Sequence, residues 1–244
     1  MGATFQAARQ IAGMIGMAFR YGDGLPDPET GASGVEDSLP FDGTWTVVNG
    51  GIDEETSHSW DVWTQRYAYD FVVLDGDGAS FSGDPSDVRS YLCYGMPVLA
   101  PADGEVVEVR SADPDTPPAP DGEVSCAGGD IRGNYVLIRH AAGEYSCLAH
   151  LAPGGVEVSV GQRVSRGDRI GRCGSSGNSS EPHLHFHVQA GRSFYSSPGV
   201  PVRFAGVAAE RARGYDRADP RRQPDDPLRA HPPFLARGLA VRNA

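Results

Sequence analysis

The sequence predicts an all-β fold built on an antiparallel sheet, with a short helix at the start of the chain and an irregular C-terminal tail. Three observations carry this. The 244 residues include 32 glycines and 19 prolines, a load of backbone punctuation that disfavours long helices. Nine short runs rich in β-branched, aromatic or aliphatic residues follow one another between residues 44 and 188. Each is bounded by Gly, Pro or Asp, in the rhythm of hairpins. The last of them alternates strictly, as a half-buried strand does.

Taken in order, the apolar run Ile11–Phe19 holds nine residues and two glycines, well short of the roughly 18 that a membrane span needs. It reads as a short amphipathic helix. The alternative is a signal peptide, but only Arg9 precedes the run as a basic residue and no small-residue cleavage site follows. Residues 22–40 read as an acidic linker. The expected strands are Thr44–Val48, Tyr67–Leu74, Gly95–Ala100, Gly104–Arg110, Asn134–His140, Tyr145–Leu151, Val156–Val160, Asp168–Cys173 and His183–Val188. A Gly/Asp/Ser loop occupies Asp75–Arg89, and Ser111–Gly129, with its D-P-D-T-P-P-A-P-D-G string, reads as a surface loop inserted into a hairpin. From Gly206 onward the chain is rich in Arg, Asp and Pro and lacks apolar periodicity, so it reads as a short helix and then an extended or disordered segment. The expected division is 1–40, 41–205 and 206–244.

Composition removes several function classes. A net charge of −11 argues against a partner held by its phosphate backbone, such as nucleic acid. All 21 basic residues are arginine, so no lysine is present to carry a lipoyl or biotinyl group or to form a Schiff base. The four cysteines, Cys93, Cys126, Cys147 and Cys173, form no C-x-x-C pair, which disfavours a thiolate zinc knuckle. They leave two disulfides or four small buried hydrophobes open. Nothing in the sequence fixes an oligomeric state.

The chemistry concentrates in Glu181-Pro-His-Leu-His-Phe-His-Val188. On a strand, alternation puts His183, His185 and His187 on one face and turns Leu184, Phe186 and Val188 to the core. Neutral imidazole is the commonest protein ligand for zinc, so three on one face point to a metal site. His150 and His140 each end an expected strand; for His140 a hydrogen-bonded structural role is the plain expectation.

Five ordered motifs then agree with one family. Gly95-Met-Pro-Val-Leu-Ala-Pro-Ala-Asp-Gly-Glu-Val106 comes first, followed by Gly133-Asn-Tyr-Val-Leu-Ile-Arg-His140 and Tyr145-Ser-Cys-Leu-Ala-His-Leu151. Val160-Gly-Gln-Arg-Val-Ser-Arg-Gly-Asp-Arg-Ile-Gly171 and Ser175-Ser-Gly-Asn-Ser-Ser-Glu-Pro-His-Leu-His-Phe186 complete the series. Together they closely resemble the lysostaphin-type (LytM-like) zinc metallopeptidases over residues 65–190. The resemblance implies an antiparallel β core, one zinc ion and hydrolysis of Gly-containing or D-amino-acid peptide bonds in the short peptides of bacterial peptidoglycan, hence a place in the cell envelope or outside the cell. It also implies roles: His183 catalytic, His185 a zinc ligand, His150 an aid to the attacking water, and Asp70 a second ligand. Val160–Gly171 also resembles the turn of biotinyl and lipoyl carriers, which the missing lysine excludes. Sugar-transport phosphocarriers of related fold would have no use for the histidine cluster.

One position departs from the family. The family pattern H-x-x-x-D reads here Arg66-Tyr-Ala-Tyr-Asp70, and guanidinium stays protonated and cannot ligate zinc. Alternation places Arg66 on the same strand face as Asp70, so the cation could point at the site. A like charge about 4 Å away costs about 4 kcal/mol at an effective dielectric of 20. Arg66 must therefore turn away, pair with an acid, or mark a site without zinc. His58, twelve residues before Asp70, is the expected replacement ligand, with His187 a weaker one. The alternative is a degenerate LytM-like domain that binds peptidoglycan or regulates another hydrolase.

Overall fold

The computed structural model describes residues 2–22, 24–119, 125–126, 129–219, 221 and 223–244. Among them lie the helices α1 (Gly2–Tyr21), α2 (Tyr215–Ala218) and α3 (Pro227–Ala230). The first strands are β1 (Trp45–Asn49), β2 (Tyr69–Val72), β3 (Pro97–Leu99), β4 (Gly104–Arg110), β5 (Ser125–Cys126), β6 (Asn134–Ala141) and β7 (Glu144–Val156). The later ones are β8 (Arg163–Val164), β9 (Arg169–Cys173), β10 (Asn178–Ser179), β11 (Leu184–Gln189), β12 (Gly199–Val200), β13 (Val207–Arg211) and β14 (Leu239–Asn243).

The main sheet runs β13-β14-β1-β2-β11-β7-β6-β4-β8, and its strand pairs are antiparallel. β7 is the strand that shapes it. Its first half pairs with β11, and its second half bends away to meet β9 through Leu151↔Cys173 and Val156↔Gly171. β9 in turn carries β3. Val98 of β3 and Ile170 of β9 thereby join the strands of the main path in one hydrophobic core. Leu148, Leu151, Ile170, Leu184, Phe186 and Phe71 are fully buried there. Burying each such side chain contributes roughly 1.5–3 kcal/mol, and truncating Phe186 to Ala would cost about 3–5 kcal/mol.

The alternation expected around residue 183 holds: Leu184, Phe186 and Val188 face that core. The expected separate strand Val156–Val160 does not form. β7 absorbs Val156, and residues 157–160 lead into a turn closed by Gln162 N–H donating to Ser159 O at 3.0 Å. In the Ser111–Gly129 segment, expected as a surface loop inserted into a hairpin, residues 111–119 run along the loop before β11. Thr116 N–H donates to Ser175 O at 2.8 Å, and Ala119 N–H to Ser180 O at 2.9 Å.

The tail expected to be irregular contains two strands. β14 extends the sheet beside β1 through Trp45↔Val241, with Leu239 and Val241 buried. Two apolar positions are too few to make a periodic signal, which is why composition dominated the sequence reading. The stretch expected as a linker is packed down: Leu39 joins the core, and backbone and side-chain hydrogen bonds with distant residues hold the rest. The Glu144 carboxylate accepts from Ser33 Oγ at 2.6 Å, Gly34 N at 3.0 Å and Val35 N at 3.1 Å. Asn243 Oδ1 accepts from Leu39 N at 3.1 Å. Cys93, Cys147 and Cys173 are buried free thiols, so these three serve as small core residues; the side chain of Cys126 lies outside the described residues.

Candidate metal centre

Three neighbouring strands bring the predicted residues together. In register, His185 of β11 lies opposite Asp70 of β2 on one side and Ala149 of β7 on the other. His150 follows Ala149 at an irregularity where the β6–β7 register shifts between Asn134 and Val136. Its φ is 60°, the left-handed region that histidine tolerates better than most residues. The bulge re-aims its ring, as bulges beside functional sites do. The ring centroid comes 4.6 Å from His183 and 5.5 Å from His185.

Backbone carbonyls fix how two of the rings face. His150 Nδ1 lies 2.8 Å from Ser176 O, and His183 Nδ1 lies 2.8 Å from Glu181 O. A carbonyl only accepts, so each ring donates from Nδ1–H and presents Nε2 to the site. Ser176 is held under His150 by a close backbone approach. Gly133 has φ 59°, and a Cβ there would stand 2.3 Å from the Ser176 carbonyl carbon. Gly177, φ 82°, faces Gly133 in the same way.

Asp70, 6% exposed, sits at the focus. Its Oδ1 accepts from His185 Nδ1 at 2.8 Å and lies 3.7 Å from His183 Nε2; its Oδ2 lies 3.5 Å from His58 Nδ1. Burial alone would raise this carboxyl, but the hydrogen bond from His185 and the imidazoles of His183 and His58 outweigh it and hold it far below the usual carboxylate range. His150 is pushed well down, by burial first and then by His183 and His185. Partial desolvation where its half-exposed ring approaches the cluster also lowers His58, against the pull of Asp70. Imidazoles around an ionised carboxylate are a donor set that zinc takes. Among the described residues, the ligand atoms of His150, His183 and His185 all lie within 4.8 Å of one another. The residues present therefore fit a metal ion.

Arg66 is not on the site face. β2 begins at Tyr69, and residues 61–67 form turns, with Gln65 N–H donating to Val62 O and Ala68 N–H to Gln65 O at 2.7 and 2.9 Å. Strand alternation thus never reaches Arg66. Its Nε donates to Trp60 O at 3.0 Å, and its guanidinium carbon lies 4.8 Å from the Trp60 ring centroid. His187, weighed as a substitute ligand, lies behind His185, with Nδ1 2.9 Å from His185 Nε2. His140 is away from the cluster, held by Asp103 O at 2.8 Å and Ser146 Oγ at 2.7 Å. The sequence reading missed Arg221, whose charge is felt by both Asp70 and His58 and which bonds Asp219 and Val48 O. It lies in the tail, where no motif flags it. It also missed Gln189, which two-residue alternation from His185 places on the histidine face.

An antiparallel sheet that gathers imidazoles around a buried carboxylate defines a candidate metal centre. The model of peptidase family M23 matches residues 88–196, an interval that holds His150, His183 and His185 and begins after Asp70. Over that interval this chain is similar to that family. Its relatives include the cell division protein DipM of Caulobacter vibrioides, 38% identical over 28% of this chain and 11% of that protein. The peptidoglycan DD-endopeptidase ShyA of Vibrio cholerae is 36% identical over 38% of this chain and 17% of that protein. The glycyl-glycine endopeptidase ALE-1 of Staphylococcus capitis is 30% identical over 58% of this chain and 33% of that protein. The match thus spans a third or less of each of these relatives. The lysostaphin catalytic domain of Staphylococcus simulans superposes at TM-score 0.36 with 22% identity, covering 63% of this chain and 84% of that one. A zinc-containing peptidase from Vibrio cholerae does so at TM-score 0.41, with 22% identity over 68% of this chain and 39% of that one. Likenesses this loose add nothing to the family match.

Proposed function

We propose that this chain is a zinc-dependent metalloendopeptidase acting on peptide bonds of bacterial cell-wall peptidoglycan, at the cell envelope or outside the cell. The observation that carries the proposal is the buried Asp70 carboxylate, met by His185, His183 and His58. Asp70, His185 and His58 would hold the ion. When bound, zinc supplies the charge that makes water a nucleophile near neutral pH and polarises the scissile carbonyl. His183 and His150 keep Nδ1–H on backbone carbonyls, so each has Nε2 available to take a proton from the attacking water. Once protonated, the same Nε2–H donates to the oxygen on which negative charge develops. The relatives named as peptidoglycan endopeptidases support the substrate class. Among the described residues no helix is long and apolar enough to cross a membrane.

The mutual proximity of His150, His183 and His185 favours a second ligand set, in which His150 and His183 replace Asp70 and His58. Elemental analysis of zinc in the purified protein, beside His58→Ala and His150→Ala, separates the two. One zinc per chain that is lost in His58→Ala and kept in His150→Ala supports the first set; the reverse supports the second. No zinc in the unmodified protein, even after zinc is added, would leave the degenerate binding or regulatory domain, and release of peptides from purified peptidoglycan would then be absent too.

A further inference from the structure

β11 carries its alternation beyond the site. His185, His187 and Gln189 share one face at i, i+2 and i+4, and are 3%, 1% and 0% exposed. Their side chains join end to end. His185 Nε2 lies 2.9 Å from His187 Nδ1, His187 Nε2 lies 3.0 Å from Gln189 Oε1, and Gln189 Nε2 lies 2.6 Å from Gly191 O. The row ends on a carbonyl, which has no hydrogen to give, and that end sets the direction of every bond. The Gln189 amide nitrogen must face Gly191, so its oxygen faces His187 and His187 Nε2 carries the hydrogen. A buried imidazolium bonded to no carboxylate would be costly, so His187 is neutral and its Nδ1 is bare. A bare Nδ1 needs a donor, and His185 Nε2–H is the partner at hydrogen-bonding distance. The Gln65 amide, 3.5 Å from the same nitrogen, is at the outer limit of a hydrogen bond and does not compete.

We propose that His187 and Gln189 are positioning residues that commit His185 Nε2 to a hydrogen and so leave Nδ1 as the atom that meets Asp70 and the metal. The Gly191 carbonyl thereby sets the ligating atom of His185 from three side chains away. Nδ1 donates its hydrogen to Asp70 Oδ1 at 2.8 Å, and His185 would give up that hydrogen to hold a metal. The metal half of this inference rests on the zinc site proposed above, whereas the state of Nε2 does not.

Two measurements test it. Long-range proton–nitrogen NMR of the histidine rings in uniformly 15N-labelled protein, metal-free and with zinc added, reads the protonation of each nitrogen. The expected result is His185 Nε2 as an N–H nitrogen in both samples, with zinc altering Nδ1. A bare Nε2 in either sample overturns the proposal. The second measurement is zinc affinity by competition with a chromophoric chelator. His187→Phe, which can neither accept nor donate there, should bind zinc about 10–100-fold more weakly. His187→Glu, whose carboxylate only accepts, should restore binding to within a few-fold of the unmodified protein. Equal affinity in His187→Phe and the unmodified protein would overturn the positioning role while leaving the zinc site intact. If the unmodified protein binds no zinc, the zinc site itself fails, and the ring spectra still decide the state of Nε2.

Discussion

The two halves of the candidate site are built by different means. On the sheet side, His150, His183 and His185 are buried or nearly so, and hydrogen bonds to backbone carbonyls, direct or relayed, orient each ring. On the other side, His58 and Arg66 belong to residues 50–68, a run of turns and bends, and the His58 side chain is 47% exposed. His58 is tied through its backbone N–H, which donates to Asn49 Oδ1 at 2.7 Å, while its ring meets the site through the 3.5 Å approach to Asp70. The sheet fixes which nitrogen faces inward before any ligand arrives. The turn segment supplies reach, and its ring geometry is settled by what binds.

Removing a sheet-side ligand should have the largest effect. His185→Ala is expected to abolish zinc binding, read as metal content per chain, because it removes the ring that hydrogen-bonds Asp70 at 2.8 Å. Full zinc content in that variant would break the ligand assignment on both halves at once. Next, His183→Ala should keep its zinc yet lose turnover on peptidoglycan by about 10²–10⁴-fold, the range expected for a lost proton-transfer group. Loss of metal in His183→Ala would instead place His183 among the ligands.

The sheet-side half was legible in the sequence for a physical reason. A strand has period two, so His183, His185 and the core residues Leu184 and Phe186 announce their faces without a structure. The same rule would have flagged Gln189, had it been carried one step past the last histidine. Asp70 was found through the family motif, and its pairing with His185 across β2 and β11 agrees. The turn-side half was legible only in part. Alternation was extended back to Arg66, but the strand starts three residues later, and turns obey no such period. In the tail and the 22–40 segment, two short strands and scattered contacts with distant residues fix the chain, and neither leaves a periodic signal in the sequence. Arg221 escaped for the same reason.

The carbonyl support can itself be broken. At Gly133, φ 59°, an alanine Cβ would stand 2.3 Å from the Ser176 carbonyl carbon, so Gly133→Ala must displace the residue that orients His150. The expected cost is about 2 kcal/mol or more, since both backbone strain and overlap oppose the substitution. In thermal unfolding that is a drop of about 4–8 °C for a domain of this size. An unchanged midpoint would show that the loop holding Ser176 relocates freely. Removing metal tests the other half. Chelation should speed amide hydrogen exchange across residues 50–68 and leave β7 and β11 protected, because only the turn segment depends on the ligand for its geometry. Equal deprotection of both would mean that the sheet side is not preorganised.

Arg66→Ala should have the smallest effect, and it is the sharpest test of whether this position decides the fate of the site. In the family pattern a histidine stands there, and a fixed positive charge beside a metal would be strongly unfavourable. Here the guanidinium is committed to the Trp60 carbonyl and ring. A half-exposed contact of this kind contributes about 0.5–1 kcal/mol, so the variant should lose no more than that in stability. Zinc content and affinity should stay where they are. A rise in zinc affinity on removing Arg66 would mean that its charge does reach the ion and that the turn segment is less settled than its contacts with Trp60 indicate. No change would mean that the turn has already moved the charge aside, leaving His58 free to supply the ligand from the same segment.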